Sequence, residues 1–112
     1  MTDRKHPYTP MKQISDVNIA GIKYRIKWAK NLEDDSQPCW GLTNYQQATI
    51  TIRKGLSPQK SRQTLIHEMV HAMLHEAGID DLCNDEKLVN PLGNILNETL
   101  IDNQDLLKQF MK

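Results

Sequence analysis

The segment from Ser57 to Gly78, "SPQKSRQTLIHEMVHAMLHEAG", constrains the fold more than any other part of the chain. Both of its ends carry helix signals. The Ser57 hydroxyl can accept from the free amides of a first turn. Pro58 suits the first helical position, where no amide donor is needed. Gly78 is a natural residue to end the helix. Between these points Leu65, Ile66, Met69, Val70, Met73, Leu74 and Ala77 supply a broad apolar face. The pattern predicts one helix running to Ala77, with a face that other elements must cover.

Elements able to cover it precede it in the sequence. Ile22, Tyr24, Ile26 and Trp28 alternate with Lys23, Arg25 and Lys27. A period of two gives one buried and one wet face, so this is a strand. Ile14, Val17 and Ile19 form an earlier strand, joined to it by a turn at Ala20-Gly21. The stretch "AKNLEDDSQPC" is acidic and turn-rich and reads as a loop. A second hairpin follows, with strands Trp40–Thr43 and Ala48–Arg53 and a turn over 44–47. Ile50 and Ile52 should face the core, and Trp28 and Trp40 should lie in the core or on a sheet face. After Gly78, "IDDLCND" reads as a loop and residues 85–101 as a last helix. Pro91 either kinks that helix or begins it, with Asn90 as cap. The fold class expected is α+β: a small twisted sheet packed on a long helix, with a C-terminal helix beside it.

Size and charge narrow the function. A chain of 112 residues suggests one domain, here 13–112, behind a polar arm over 1–12 that contains Pro7 and Pro10. Fourteen basic residues balance 14 acidic ones, giving a formal net charge of zero. That argues against a nucleic-acid footprint and against electrostatic attachment to a membrane. No apolar run approaches the roughly 20 residues that span a bilayer. The first residues lack the apolar core of a signal peptide. A cytoplasmic protein is expected, with Cys39 and Cys83 as free thiols.

Three of the four histidines fall within the long helix, at positions 67, 71 and 75. His67, Glu68 and His71 make H-E-x-x-H. Residues four apart lie one turn apart on the same helix face. Two imidazoles can then reach one metal ion from a rigid backbone, and the carboxylate of Glu68 can hold a water at that ion. This is the zinc-peptidase arrangement, in which the metal brings its water's pKa toward neutrality and the glutamate takes the proton. His75 extends the row but cannot join the same ion comfortably. His67 and His75 are eight residues apart, about 12 Å along the axis. Zinc–nitrogen bonds are only about 2.0–2.1 Å. His75 is therefore read as a structural residue in the last helical turn.

A catalytic zinc needs a third protein ligand and one open position. Glu86 is the favoured candidate. It follows a loop, opens the last helix, and shares a face with Val89, Gly93 and Leu100; small Gly93 would let the two helices approach. Asp85 is the adjacent alternative and Glu98 the distal one. Tyr45, in the hairpin turn, is a candidate for stabilising an oxyanion. The strand Ala48–Arg53 is expected to border the cleft, where an extended peptide could pair with its edge. Arg53, Lys54, Lys60 and Arg62 read as a solvated basic rim.

The stretch "TLIHEMVHAMLHEAGI", with "ITIRKGLS" before it and "DEKLVNPLGNILNETLIDN" after it, resembles the small phage and mobile-element zinc peptidases. These sit near the ImmA/IrrE-type metallopeptidases, within the gluzincins. The resemblance covers roughly 14–103 and rests on H-E-x-x-H-x-x-L-H. It implies a minimal zincin-like fold and a zinc metalloendopeptidase holding one zinc ion per chain. His67 and His71 match the family's metal ligands, Glu68 its catalytic glutamate, and Glu86 its acidic third ligand. Better-known members carry further domains, and some cleave a repressor of a mobile element; this chain has no room for a helix-turn-helix or sensor domain.

The expected partner is a protein or peptide substrate, without nucleic acid or membrane. The competing reading is a catalytically silent metal-binding module of a phage that engages another protein. Retention of Glu68 argues against it, since a purely structural role would not require that carboxylate. A metal-independent structural protein and a metal hydrolase acting on other bonds are the remaining alternatives.

Overall fold

The computed structural model describes residues 14–34 and 37–111, and the expected N-terminal arm lies outside them. Two strands come first, β1 (Asp16–Ile19) and β2 (Ile22–Ala29). They pair antiparallel through a tight turn in which Ala20 and Gly21 have φ of 51° and 84°. Positive φ at both central positions defines a hairpin turn whose twist matches that of the flanking strands. On β2, Tyr24 and Ile26 are buried while Lys23, Arg25 and Lys27 are exposed, as the alternation requires. Ile22, beside the turn, is exposed.

The acidic segment is not wholly irregular. It contains a two-stranded ribbon, β3 (Glu33–Asp34) with β4 (Gln37–Pro38). The second hairpin is β5 (Gly41–Asn44) and β6 (Thr49–Arg53); β5 lies one residue later than the sequence pattern suggests and β6 starts one residue later, while its end at Arg53 agrees. Ile50 and Ile52 are fully buried. The sheet order is β1-β2-β6-β5, with β2 and β6 parallel and the other pairs antiparallel. The strand β6 is thus flanked on both sides and has no free edge. This corrects the expectation that Ala48–Arg53 offers a pairing edge, which belongs instead to β5.

The long helix α1 (Pro58–Glu76) begins and ends where its signals place it. Ser57 Oγ accepts from the Lys60 amide at 3.1 Å. Ala77 caps the other end, and Gly78 turns the chain away with a φ of 80°. One side of α1 packs on the sheet, where Leu65 and Ala72 join Ile19, Tyr24, Ile26, Ile50 and Ile52 in the core. The other side receives α2 (Glu86–Asp102), capped by Asp85. Val89, Gly93 and Asn97 are the buried positions of α2. A Cβ on Gly93 would come within 3.3 Å of the His67 Cα, so glycine permits the close helix approach expected of it.

Three further expectations are corrected. Asn90 does not cap α2; the helix already runs when it reaches Pro91, which lies inside it. A short helix, α3 (Gln104–Phe110), follows α2 and is absent from the sequence reading. Trp40 is 53% exposed, with the Lys60 ammonium 3.8 Å above its ring, and belongs to the surface. The domain is α+β, with a small mixed sheet and three helices among the described residues. No described helix is long and apolar enough to cross a membrane.

Candidate metal centre and cleft

The helix α1 presents His67 and His71 one turn apart, and the start of α2 brings Glu86 up to both. His67 Nε2 lies 3.1 Å from Glu86 Oε2, and His71 Nε2 lies 2.7 Å from Glu86 Oε1. The three donor groups stand within 4.8 Å of one another. The two acidic alternatives are elsewhere. The Asp85 carboxylate caps α2 by accepting from the Lys87 amide at 3.0 Å. Glu98 is twelve residues farther along α2, about 18 Å by helical rise, and lines a separate shallow groove with Ser57 and Asn97.

The tautomer of His71 follows from its neighbours. His71 Nδ1 is 2.5 Å from the Cys83 carbonyl. A carbonyl can only accept, so Nδ1 carries the hydrogen. A neutral His71 then points the lone pair of Nε2 at a carboxylate oxygen. Two lone pairs facing one another at 2.7 Å repel unless a proton or a cation stands between them. Two imidazole nitrogens and one carboxylate are the His₂Glu set that holds a catalytic zinc. The Cys83 carbonyl supplies the outer contact that orients such a histidine. The residues present therefore fit a zinc ion.

Glu68 lies on the sheet side of this group. It is 7% exposed, and its Oε1 accepts from Thr43 Oγ1 at 2.8 Å. Burial pushes its carboxyl above the ordinary carboxylate range, against the opposing pull of the Thr43 hydrogen bond. Gly41, which the sequence reading passed over, makes this position possible. A Cβ there would fall 2.8 Å from Glu68 Cγ and 2.8 Å from Thr64 Cγ2. A glycine opening a strand shortly after a tryptophan was the available signal, and it does not say which helix the strand crosses.

The donors and Glu68 line a cleft of about 890 Å³. Its floor is α1, one wall is the start of α2, and the other is β5 with Gly41, Leu42 and Thr43. Tyr45 also borders it, but its hydroxyl is engaged, donating to Asn84 Oδ1 at 2.7 Å. Burial raises the phenol well above its ordinary range, so it stays protonated. Tyr45 thereby clamps the loop that leads into α2. Its ring stacks on His75 with centroids 4.3 Å apart, and His75 is also paired with Asp80. His75 is structural, as its position on the helix suggested.

Of the expected basic rim, Lys60 borders the cleft, but Arg53 is no solvated residue. It donates from Nε to the Cys39 carbonyl and from a terminal nitrogen to the Leu32 carbonyl, tying down the segment before β5. Cys39 and Cys83 are both free thiols. Compared with protein-family models, with curated proteins and with solved structures, the chain shows no significant match.

Proposed function

We propose that the protein is a zinc-dependent metalloendopeptidase of zincin-like architecture, with one catalytic zinc held by His67, His71 and Glu86. The observation that carries the reading is the convergence of these three donors, from two helices, beside the buried carboxylate of Glu68. A zinc ion there would polarise a carbonyl and bring a water's pKa toward neutrality. Glu68 acts as the general base: it takes the proton from the attacking water and returns it to the leaving amine. Thr43 holds one oxygen of that carboxylate, and the other lies beside Gly41 in the cleft wall. Its burial raises its proton affinity and makes it a better base than a solvated carboxylate.

The substrate class is a protein or peptide in extended conformation. The strand β5 is an edge of the sheet and a wall of the cleft at once. An extended chain can add to its free amides and carbonyls, running across the face of His67 and Glu68. Side chains projecting from that peptide would meet Trp40 and Lys60 at the rim.

The test is cleavage of a mixed peptide library, read as new termini by mass spectrometry, with wild type beside Glu68→Gln. The expected result is equal zinc in both and cleavage by the wild type alone. No cleavage by zinc-loaded wild type, or equal cleavage by the variant, would overturn the reading and favour a metal-binding interaction module.

A further inference from the structure

Behind the cleft, the loop between α1 and α2 gathers a second set of donors. His75 comes from the last turn of α1, and Asp80 and Cys83 come from the loop. Their nitrogen, carboxylate and sulfur atoms all lie within 4.8 Å of one another. None of them belongs to the group formed by His67, His71 and Glu86. His75 Nδ1 and Asp80 Oδ1 are 2.8 Å apart, and the His75 ring is held in place by its stack on Tyr45. Cys83 is 3% exposed, whereas the Asp80 side chain is 68% exposed. The cluster thus has a dry side at the thiol and an open side at the carboxylate through which an ion can enter.

We propose that His75, Asp80 and Cys83 form a second metal site, with three protein ligands and the fourth position left to water, for a thiophilic divalent ion such as zinc. An ion pair between His75 and Asp80 uses only two of the three groups. It leaves the buried thiol with no more than a 3.5 Å contact to the Asp80 carbonyl. A borderline-soft cation uses all three, since imidazole, carboxylate and thiolate are each ligands that zinc accepts. Bonds of about 2.0–2.3 Å in a tetrahedron place donors roughly 3.3–3.7 Å apart, so the set closes by small side-chain rotations. The thiol proton leaves to solvent as the sulfur–metal bond forms. The ion braces the loop whose Cys83 carbonyl orients His71. The second site nevertheless stands on its own donors, whatever reaction the cleft performs.

Cobalt(II) distinguishes the two sites, because only a thiolate ligand gives a near-ultraviolet sulfur-to-cobalt charge-transfer band. Metal-stripped protein is titrated with cobalt(II) alone, reading that band and the number of ions bound. Wild type and Cys39→Ser are expected to bind two ions and develop the band. Cys83→Ser should bind one ion and lack it. Asp80→Ala, a change at an exposed position that does not threaten the fold, should need much more cobalt to develop the band. His71→Ala should lose the ion that gives no band and keep the one that does, so failure of the catalytic reading shows separately. A wild type without the band, a band that survives Cys83→Ser, or an Asp80→Ala titration identical to wild type would overturn the proposal.

Discussion

Gly41 and Tyr24 each hold α1 to the sheet in a different way, one by a close approach at Glu68 and the other by a hydrogen bond at the helix end. Any side chain at position 41 collides with Glu68 and Thr64. Gly41→Ala should cost about 1–3 kcal/mol in urea unfolding, the range for overpacking a tight contact. It should also impair hydrolysis with zinc content unchanged, because Glu68 moves and the metal donors do not. Tyr24 is fully buried and donates to Glu76 Oε2 at 2.6 Å, fastening β2 to the end of α1. Burial first, and then the Glu76 carboxylate, raise the phenol well above its ordinary range, so the donor hydrogen stays in place. Tyr24→Phe should cost about 1.5–3 kcal/mol, the worth of a hydrogen bond to a charged partner. An unchanged unfolding midpoint would contradict this. The chemistry-bearing residues were legible because helical periodicity puts His67, Glu68 and His71 together without reference to anything else. Gly41 was not, because its role depends on a helix that begins seventeen positions later in the chain.

At the scale of elements, local signals predicted what local forces decide. Ser57, Pro58 and Gly78 bound α1 as capping chemistry requires. Alternation on β2 and the Ala20-Gly21 turn were equally readable. Three things depend on distant partners and were not. The parallel pairing of β2 with β6 makes β6 interior and turns β5 into the edge, which no strand's own sequence announces. Trp40, expected in the core or on a sheet face, lies exposed under Lys60 at the cleft rim. Pro91 could by its sequence lie inside the helix or begin it, and the choice falls to the interior because Asp85 caps first and the helix continues through the proline. A proline there forgoes the hydrogen bond to the Lys87 carbonyl. Pro91→Ala should therefore stabilise the protein by about 1–3 kcal/mol, measured as a raised urea midpoint. A lowered midpoint would mean that the ring's own packing outweighs the missing hydrogen bond. Ala20, held at a φ of 51°, is a poor residue for the left-handed region. Ala20→Asn should gain about 0.5–1 kcal/mol, since asparagine tolerates that conformation.

For the molecule as a whole, the candidate ion would join two helices that approach closely at Gly93. His67 and His71 ride on α1 and Glu86 on α2, so an ion among them is a crosslink between the two. Binding to the folded state alone stabilises it by about 4 kcal/mol at a thousandfold excess over Kd. Each kcal/mol moves Tm by about 4–8 °C in a domain near this size. Chelation should therefore lower Tm by roughly 10 °C or more, and zinc should restore it. The most direct test of the central claim is elemental analysis of purified wild type beside His71→Ala. The account predicts zinc in the wild type and one ion fewer per chain in the variant. Equal metal in the two proteins, or none in either after zinc is added back, would contradict it.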